Sequence, residues 1–171
     1  MAQRRIMRSM EEKMTELLAP AGSMEALKVA ISNGCDAIYL GMQKFGARAY
    51  SSNFDFESLR DAVQYAHLRD VQIYVTMNTI IFEDEIEDMK AQINELNEIG
   101  VDGIIVQDLA AFDYIARNFA DVEAHCSTQM GIDDLDGTLF FKELGAKRVV
   151  LSREVDIEKV KEIRKAAQIP L

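Results

Sequence analysis

The chain has 171 residues, is 49% hydrophobic and 28% charged, and carries a formal net charge of -10. That length and apolar content suffice for one domain with a sizeable core, while the acidic balance argues against non-specific attraction to a nucleic-acid backbone or an anionic membrane. Two cysteines, Cys35 and Cys126, are too few for a disulfide framework, and no CxxC or Cys/His spacing supports a zinc site; no metal is assigned and a reducing cytoplasm is the expected compartment.

Residues 1–15 start basic but contain no apolar h-region, so they read as a flexible or partly helical tail. No apolar run approaches the roughly 18 residues of a membrane-spanning helix, and no membrane partner is expected. From Glu16 onward, short apolar runs alternate with longer amphipathic segments, the rhythm of a parallel sheet covered by helices. Glu16 to Ala19 is the first strand, ended by Pro20 to Gly22; Ser23 then caps a helix to about Asn33, with Gly34 as its stop. Asp36 to Leu40 is the second strand. It runs into a loop from Gly41 to Asn53, longer than most βα connections and of a length that is more often functional.

Asp55 caps the next helix, with Leu59, Ala62, Val63 and Ala66 at helical spacing, and Val71 to Asn78 alternates apolar and polar residues as a third strand. A helix from about Asp84 to Ile99 ends at Gly100. Gly103 to Gln107 is the fourth strand, and Asp108 opens a helix to about Asn118. The fifth strand is Glu123 to Met130, followed by a helix over Leu135 to Leu144. Arg148 to Ser152 is the sixth strand, Ile157 to Ala167 the last helix, and Ile169 to Leu171 the approach to a seventh strand.

Six βα units fit either a doubly wound sheet or three quarters of an eight-stranded barrel. A dinucleotide fold requires a glycine fingerprint at its first βα turn, and Ala19 to Ser23 carries one glycine. Gly34-Cys35-Asp36, Gly100-Val101-Asp102 and Gly145-Ala146-Lys147 repeat one αβ turn, as equivalent barrel units would. The expected fold is therefore an incomplete (β/α) TIM-type barrel over residues 16–171, truncated before strand seven.

Barrel active sites lie at the C-terminal ends of the strands. If Val71, Ile73, Val75 and Met77 face the helices, Gln72, Tyr74, Thr76 and Asn78 face the lumen; the same parity turns Tyr39, Gln107, His125, Ser127 and Ser152 inward. A lumen lined by so many polar groups reads as a pocket. His125 is the candidate catalytic residue, suited to proton transfer near neutral pH or to holding an anion. A structural histidine bonded to lumen groups is equally consistent with its spacing. Cys126 alternates to the other face and reads as an apolar filler. Arg48 in the long loop, and Arg153 beside Glu154, are candidates for contacting a substrate carboxylate or phosphate, with a loop-fixing ion pair as the alternative. Asn78, Gln107, Ser127 and Gln129 complete the candidate substrate-binding set. Asp108 has a simpler reading as a helix cap, the acidic run Glu83 to Asp88 as a helix N-terminus, and His67 as a surface or helix-dipole partner.

Seven blocks in one order carry a family resemblance: ELLAPAGS from Glu16, DAIYLG from Asp36, FGARA from Phe45, VTMNTI from Val75, GIIVQD from Gly103, HCSTQ from His125 and RVVLSRE from Arg148. Together they resemble the N-terminal barrel of peptidase family U32, the collagenase-like proteases, and most of all its ribosomal RNA cytidine hydroxylase branch. Sister branches hydroxylate a tRNA wobble uridine or serve oxygen-independent ubiquinone synthesis. The resemblance implies the barrel portion of an RNA-base hydroxylating enzyme, inactive alone; the alternatives are a collagenase-like peptidase and a non-catalytic fragment or interaction module. It also implies a cysteine-rich region beyond Leu171, whose cysteines hold an iron-sulfur cluster in hydroxylating members. No cofactor is expected in the present chain. RNA or peptide substrates are expected to need those downstream regions, and an open barrel edge is expected to favour self-association. No Ser-His-Asp, HExxH or paired-aspartate arrangement makes a protease legible.

Overall fold

A computed structural model describes residues 15–47 and 54–171. Arg48 and all but the last residue of the 1–15 tail lie outside the described residues. The elements are β1 (Leu18–Pro20), α1 (Met24–Ser32), β2 (Ala37–Gly41), α2 (Phe56–His67), β3 (Gln72–Met77), α3 (Ile86–Ile99), β4 (Gly103–Val106), α4 (Leu109–Asn118), β5 (Glu123–Cys126), α5 (Leu135–Glu143), β6 (Arg148–Val149) and α6 (Ile157–Ala167). Short 3-10 turns at Glu83–Glu85 and Thr128–Met130 follow β3 and β5.

Five of the six helices begin where a short polar side chain can satisfy amides that have no intrahelical partner, while α3 continues from the 3-10 turn before it with no side-chain cap at Glu85. The Ser23 hydroxyl accepts from Ala26 N (3.2 Å), Asp55 from Ser58 N (2.8 Å), Asp108 from Ala110 N (2.8 Å), Asp134 from Gly137 N (2.7 Å) and Asp156 from Lys159 N (2.8 Å). Exits are as regular as entries. Gly34, Gly100 and Gly145 turn through φ of 88°, 87° and 108°, and Asp70 and Gln168 take the same left-handed conformation at 58° and 52°. The residue after each turn, Cys35, Val71, Val101, Ala146 or Ile169, is buried. The glycine repeat seen in the sequence is therefore one geometric device. Two further turns use it without glycine.

All strands are parallel and pair in sequence order, β1 to β6, with no reversal. Doubly wound topology requires a reversal; the chain instead forms a curled, incomplete TIM-type α/β barrel. Its core lies between sheet and helices, where Ile38, Leu40, Ile73, Val75, Met77, Ile104, Val106, Ala124, Cys126 and Val149 pack against Leu59, Ile93, Leu96, Phe112 and Ile163. A smaller cluster on the concave face joins Ala37, Tyr74 and Ile105 to Leu18 and Tyr39. The curl is tight enough for Arg148, at the start of β6, to donate to Glu16, just before β1, at 2.7 Å.

β5 and β6 fall three or more residues short of what the sequence suggests, for local reasons. Beyond Cys126, the Ser127 hydroxyl accepts from Gln129 N and the chain turns toward Gly131, whose φ is 69°. Beyond Val150, whose amide still bonds Cys126 O, the chain swings away and Ser152 N bonds Ile132 O at 2.8 Å. At the other edge of β6, Val149 N donates to Pro170 O at 3.1 Å, so the segment after α6 does approach the sheet as a further strand would. Among the described residues no helix is long and apolar enough to cross a membrane.

Gly103 is where the concave face has least room. A Cβ there would lie 3.1 Å from Glu123 O, 3.2 Å from Tyr74 Cδ1 and 3.3 Å from Glu123 Cβ. Gly103→Ala is expected to lower stability by about 1–3 kcal/mol through this overpacking, read as a reduced midpoint in urea unfolding.

Candidate functional site

The in-register rung Met77, Val106, Cys126 and Val149 runs straight across β3 to β6. Its side chains face the helices, so the next residues along, Asn78, Gln107 and Ser127, have the opposite parity and line the concave face at one height. This places three of the expected substrate-binding residues in a row on adjacent strand ends, at the C-terminal mouth. The row is neutral, made of two amides and a hydroxyl. Asn78 Oδ1 accepts from Ala47 N at 3.1 Å and so ties the long loop after β2 to the end of β3. The same loop is held by Lys44 to Asp88 at 3.0 Å and by a bridge between Met42 and Phe54 at its base. Gln107 is half-buried. Ser127 is buried and its hydroxyl caps the following turn; Gln129 in that turn is exposed. Asp108 caps α4 as expected, and its second oxygen accepts from Ile81 N at 3.2 Å, which binds the loop after β3 to the same rim. Arg153 and Glu154 are both exposed, and among the described residues no ion pair joins them. The acidic run forms the 3-10 turn Glu83–Glu85 and the first turn of α3, as its charge predicts.

His125 stands elsewhere. It lies inside β5 rather than at the strand's C-terminal end, one inward layer below Ser127, or about 7 Å at the usual rise per residue. Its side chain is fully buried. Nε2 lies 2.7 Å from Glu123 Oε2, toward the N-terminal end of the strand, and its ring meets Tyr74 edge-on at 4.6 Å between centroids. Arg148, its register partner on β6, places its guanidinium 5.4 Å from the Tyr74 ring centre. Tyr74 is 1% exposed and donates to Gln72 Oε1 at 2.9 Å. The lower lumen, expected to be a pocket, is thus packed around one tyrosine by Glu16, Glu123, His125 and Arg148.

The charges of this group hold one another. The hydrogen bond from His125 keeps the Glu123 carboxyl below its usual value against the opposing effect of burial, helped by the nearby Arg148 and Lys147. Burial works against the charged form of Arg148, but bonding and attraction to Glu16 outweigh it and its pKa is raised. Burial, with the neighbouring Glu16 charge, pushes the Tyr74 phenol up. Cys126 is sealed on the other face and burial pushes its thiol up to about 12, leaving it un-ionised and inert at neutral pH. His67 closes the last turn of α2 by meeting Asp102 Oδ2 at 2.8 Å, while the same oxygen accepts from Ile73 N at 2.7 Å.

The residues missed by sequence reasoning are Glu16, Glu123 and Arg148. Arg148 and Glu123 share the inward parity of His125, a signal that was available. Glu16 and Arg148 are 132 positions apart, and nothing local links them.

The model of peptidase family U32 matches residues 22–171. The tRNA hydroxylation protein P1 of Bacillus subtilis is 35% identical over 159 residues, covering 93% of this chain and 38% of that protein. The 23S rRNA 5-hydroxycytidine synthase of Escherichia coli is 35% identical over 151 residues, 88% of this chain and 22% of that protein. A collagenase of Porphyromonas gingivalis is also 35% identical, over 86% of this chain and 35% of its own length. The chain therefore spans well under half of these relatives. The solved structure of a U32 peptidase superposes with a TM-score of 0.73 at 19% identity, over 93% of this chain and 68% of that one, a likeness of fold.

Two outcomes test the lumen. Arg148→Met leaves Glu16 without its partner and is expected to cost about 1–3 kcal/mol, moderated because the two side chains keep 15% and 27% exposure. Adding Glu16→Gln is expected to recover part of that loss in a double-mutant cycle read by urea unfolding. For Glu123 the folded pKa lies below the ordinary glutamate value of 4.5. Its contribution is complete above that pH and is lost as pH falls through the lower folded value. Glu123→Gln is expected to flatten the acid limb of stability against pH below 4.5, followed by thermal melts.

Proposed function

The chain belongs to peptidase family U32, and on that footing we propose that it is the N-terminal barrel portion of an RNA-base hydroxylating member, working in the cytoplasm and needing the remaining length of the protein for activity. The observation that carries this reading is the division between mouth and lumen. The mouth presents the half-buried Asn78 and Gln107 as neutral donors and acceptors, with the buried Ser127 hydroxyl beside them, which suit the edge of an unstacked nucleobase better than a phosphate. The groups that hydrolysis would call on are withdrawn: Cys126 is buried among the helices, and His125 is buried and bonded to Glu123. Relatives named for tRNA and rRNA hydroxylation, matched over most of this chain, support it.

In this reading Asn78, Gln107, Ser127 and Gln129 bind the base, with Arg153 and Glu154 at the rim and Arg48 as a further substrate contact, and His125 supports the wall from below. The acidic chain does not supply affinity for the RNA backbone, which falls to later regions. The iron-sulfur cluster implied by the hydroxylase resemblance does not fit the residues present. Cys35 and Cys126 are both buried and sit on different elements, and the described residues contain no group of three His, Cys, Asp or Glu side chains able to hold a metal. A collagenase-like peptidase is the second reading, favoured by the equally similar collagenase.

Deleting the gene is expected to remove one hydroxylated pyrimidine from total RNA, seen by nucleoside mass spectrometry. Complementation with the full-length protein carrying Gln107→Ala is expected to restore less than about a tenth of it. An unchanged RNA profile, together with cleavage of denatured collagen that His125→Ala abolishes, would move the assignment to the peptidase.

A further inference from the structure

Three side chains at the mouth spend their acceptors on loop amides. Asp108 gives one oxygen to Ala110 N and Ala111 N and the other to Ile81 N, the Ser127 hydroxyl accepts from Gln129 N, and Asn78 Oδ1 accepts from Ala47 N at 3.1 Å. For Asn78 this bond settles the direction of the side chain. A backbone N–H can meet only the oxygen of a carboxamide, so the group cannot be turned end for end while the Ala47 bond holds. Nδ2 is then the arm directed away from Ala47 N. No described residue accepts from it, and it is not one of the buried polar atoms left unpartnered, so its two hydrogens open on solvent. They do so on the concave face, because Met77 before it packs against the helices at 0% exposure and the register of Met77 with Val106 sets Asn78 beside Gln107.

An asparagine ordinarily offers either a donor or an acceptor to a ligand, and this one offers donors only. Resting on the nucleobase reading of the mouth, we propose that Asn78 decides which atom of the base enters: Nδ2 donates to a carbonyl oxygen, and the one carbonyl that every RNA pyrimidine carries lies between its two ring nitrogens. A base edge that presents an N–H or NH2 group there sets donor against donor and leaves both unpaired, which is how a polar site rejects a close analogue. The same bond makes the reading conditional on the loop after β2. With Ala47 seated, the donor faces the base. With the loop lifted, the terminal amide torsion, which has two broad wells, is free to turn over and present the oxygen instead. The position of the loop is thereby passed to the choice of base atom through one side chain.

Asn78→Asp separates the two bonds, since it keeps an oxygen for Ala47 N and, in the same shape, replaces the donor by an acceptor. Carried by the full-length protein in the deletion strain, it is expected to restore less than about a tenth of the hydroxylated pyrimidine seen by nucleoside mass spectrometry. Hydrogen exchange at the Ala47 amide of the purified variant is expected to stay as slow as in the parent protein. Asn78→Ala, which removes both bonds, is expected to lose the nucleoside and to speed exchange at Ala47 as well. A side chain that only held the loop would leave the nucleoside at the parent level in Asn78→Asp. That result, alongside loss of the nucleoside in Gln107→Ala, would overturn the role of Asn78 and leave the proposed function standing. Loss of the nucleoside in Asn78→Asp together with fast exchange at Ala47 would also overturn it, by making Asn78 a holder of the loop alone. An RNA profile unchanged by deletion of the gene would overturn the function, and this role with it.

Discussion

One rung of parallel pairing, Met77 to Val106 to Cys126 to Val149, decides what each face of the sheet can do. Side chains along a strand alternate, so a slip of one residue in any strand would send its apolar set into the lumen and its polar set into the helical core. The core leaves no room for that. Ile73, Val75, Met77, Ile104, Val106 and Cys126 are all at or near zero exposure against helices whose own apolar faces are fixed by their caps. The position of Asn78, Gln107 and Ser127 in one row is a by-product of packing on the opposite side.

Below that row the same constraint gathers charge. Inward positions at the N-terminal ends of the strands bring two carboxylates, a guanidinium and an imidazole around Tyr74, and Gly103 gives up its side chain so that the ring can fit. Each ion here is partly shielded from water and held by a bonded neighbour. Such a cluster contributes less to net stability than its short distances suggest, because desolvation offsets much of the attraction. What it does contribute is a single arrangement of the concave face, since each group is costly to leave unpaired.

Much of the fold was legible because its signals are local. Ser23, Asp55 and Asp108 cap the helices they were expected to cap, and Gly34, Gly100 and Gly145 mark αβ turns by their left-handed backbone. The period-two pattern of β3 gave the inward parity of His125 and Gln107. Where the sequence misled was at strand ends: the fifth strand stops at Cys126 because a side-chain cap at Ser127 outcompetes the ladder. Polar residues on an inward face also looked like an open pocket, yet a tyrosine large enough to fill the space stood among them. The Glu16 to Arg148 contact has no local signature and depends on how far the whole sheet curls.

That contact orders assembly in time. Every strand pairs only with its neighbour in sequence, so the sheet can grow by short loop closures from any βα unit. Glu16 and Arg148 instead close a loop of 132 residues, and they meet only once all the intervening strands are in register and curled. The ion pair is therefore a late event in folding. Its loss should raise the unfolding rate far more than it slows folding, making it a latch on the curled six-stranded sheet.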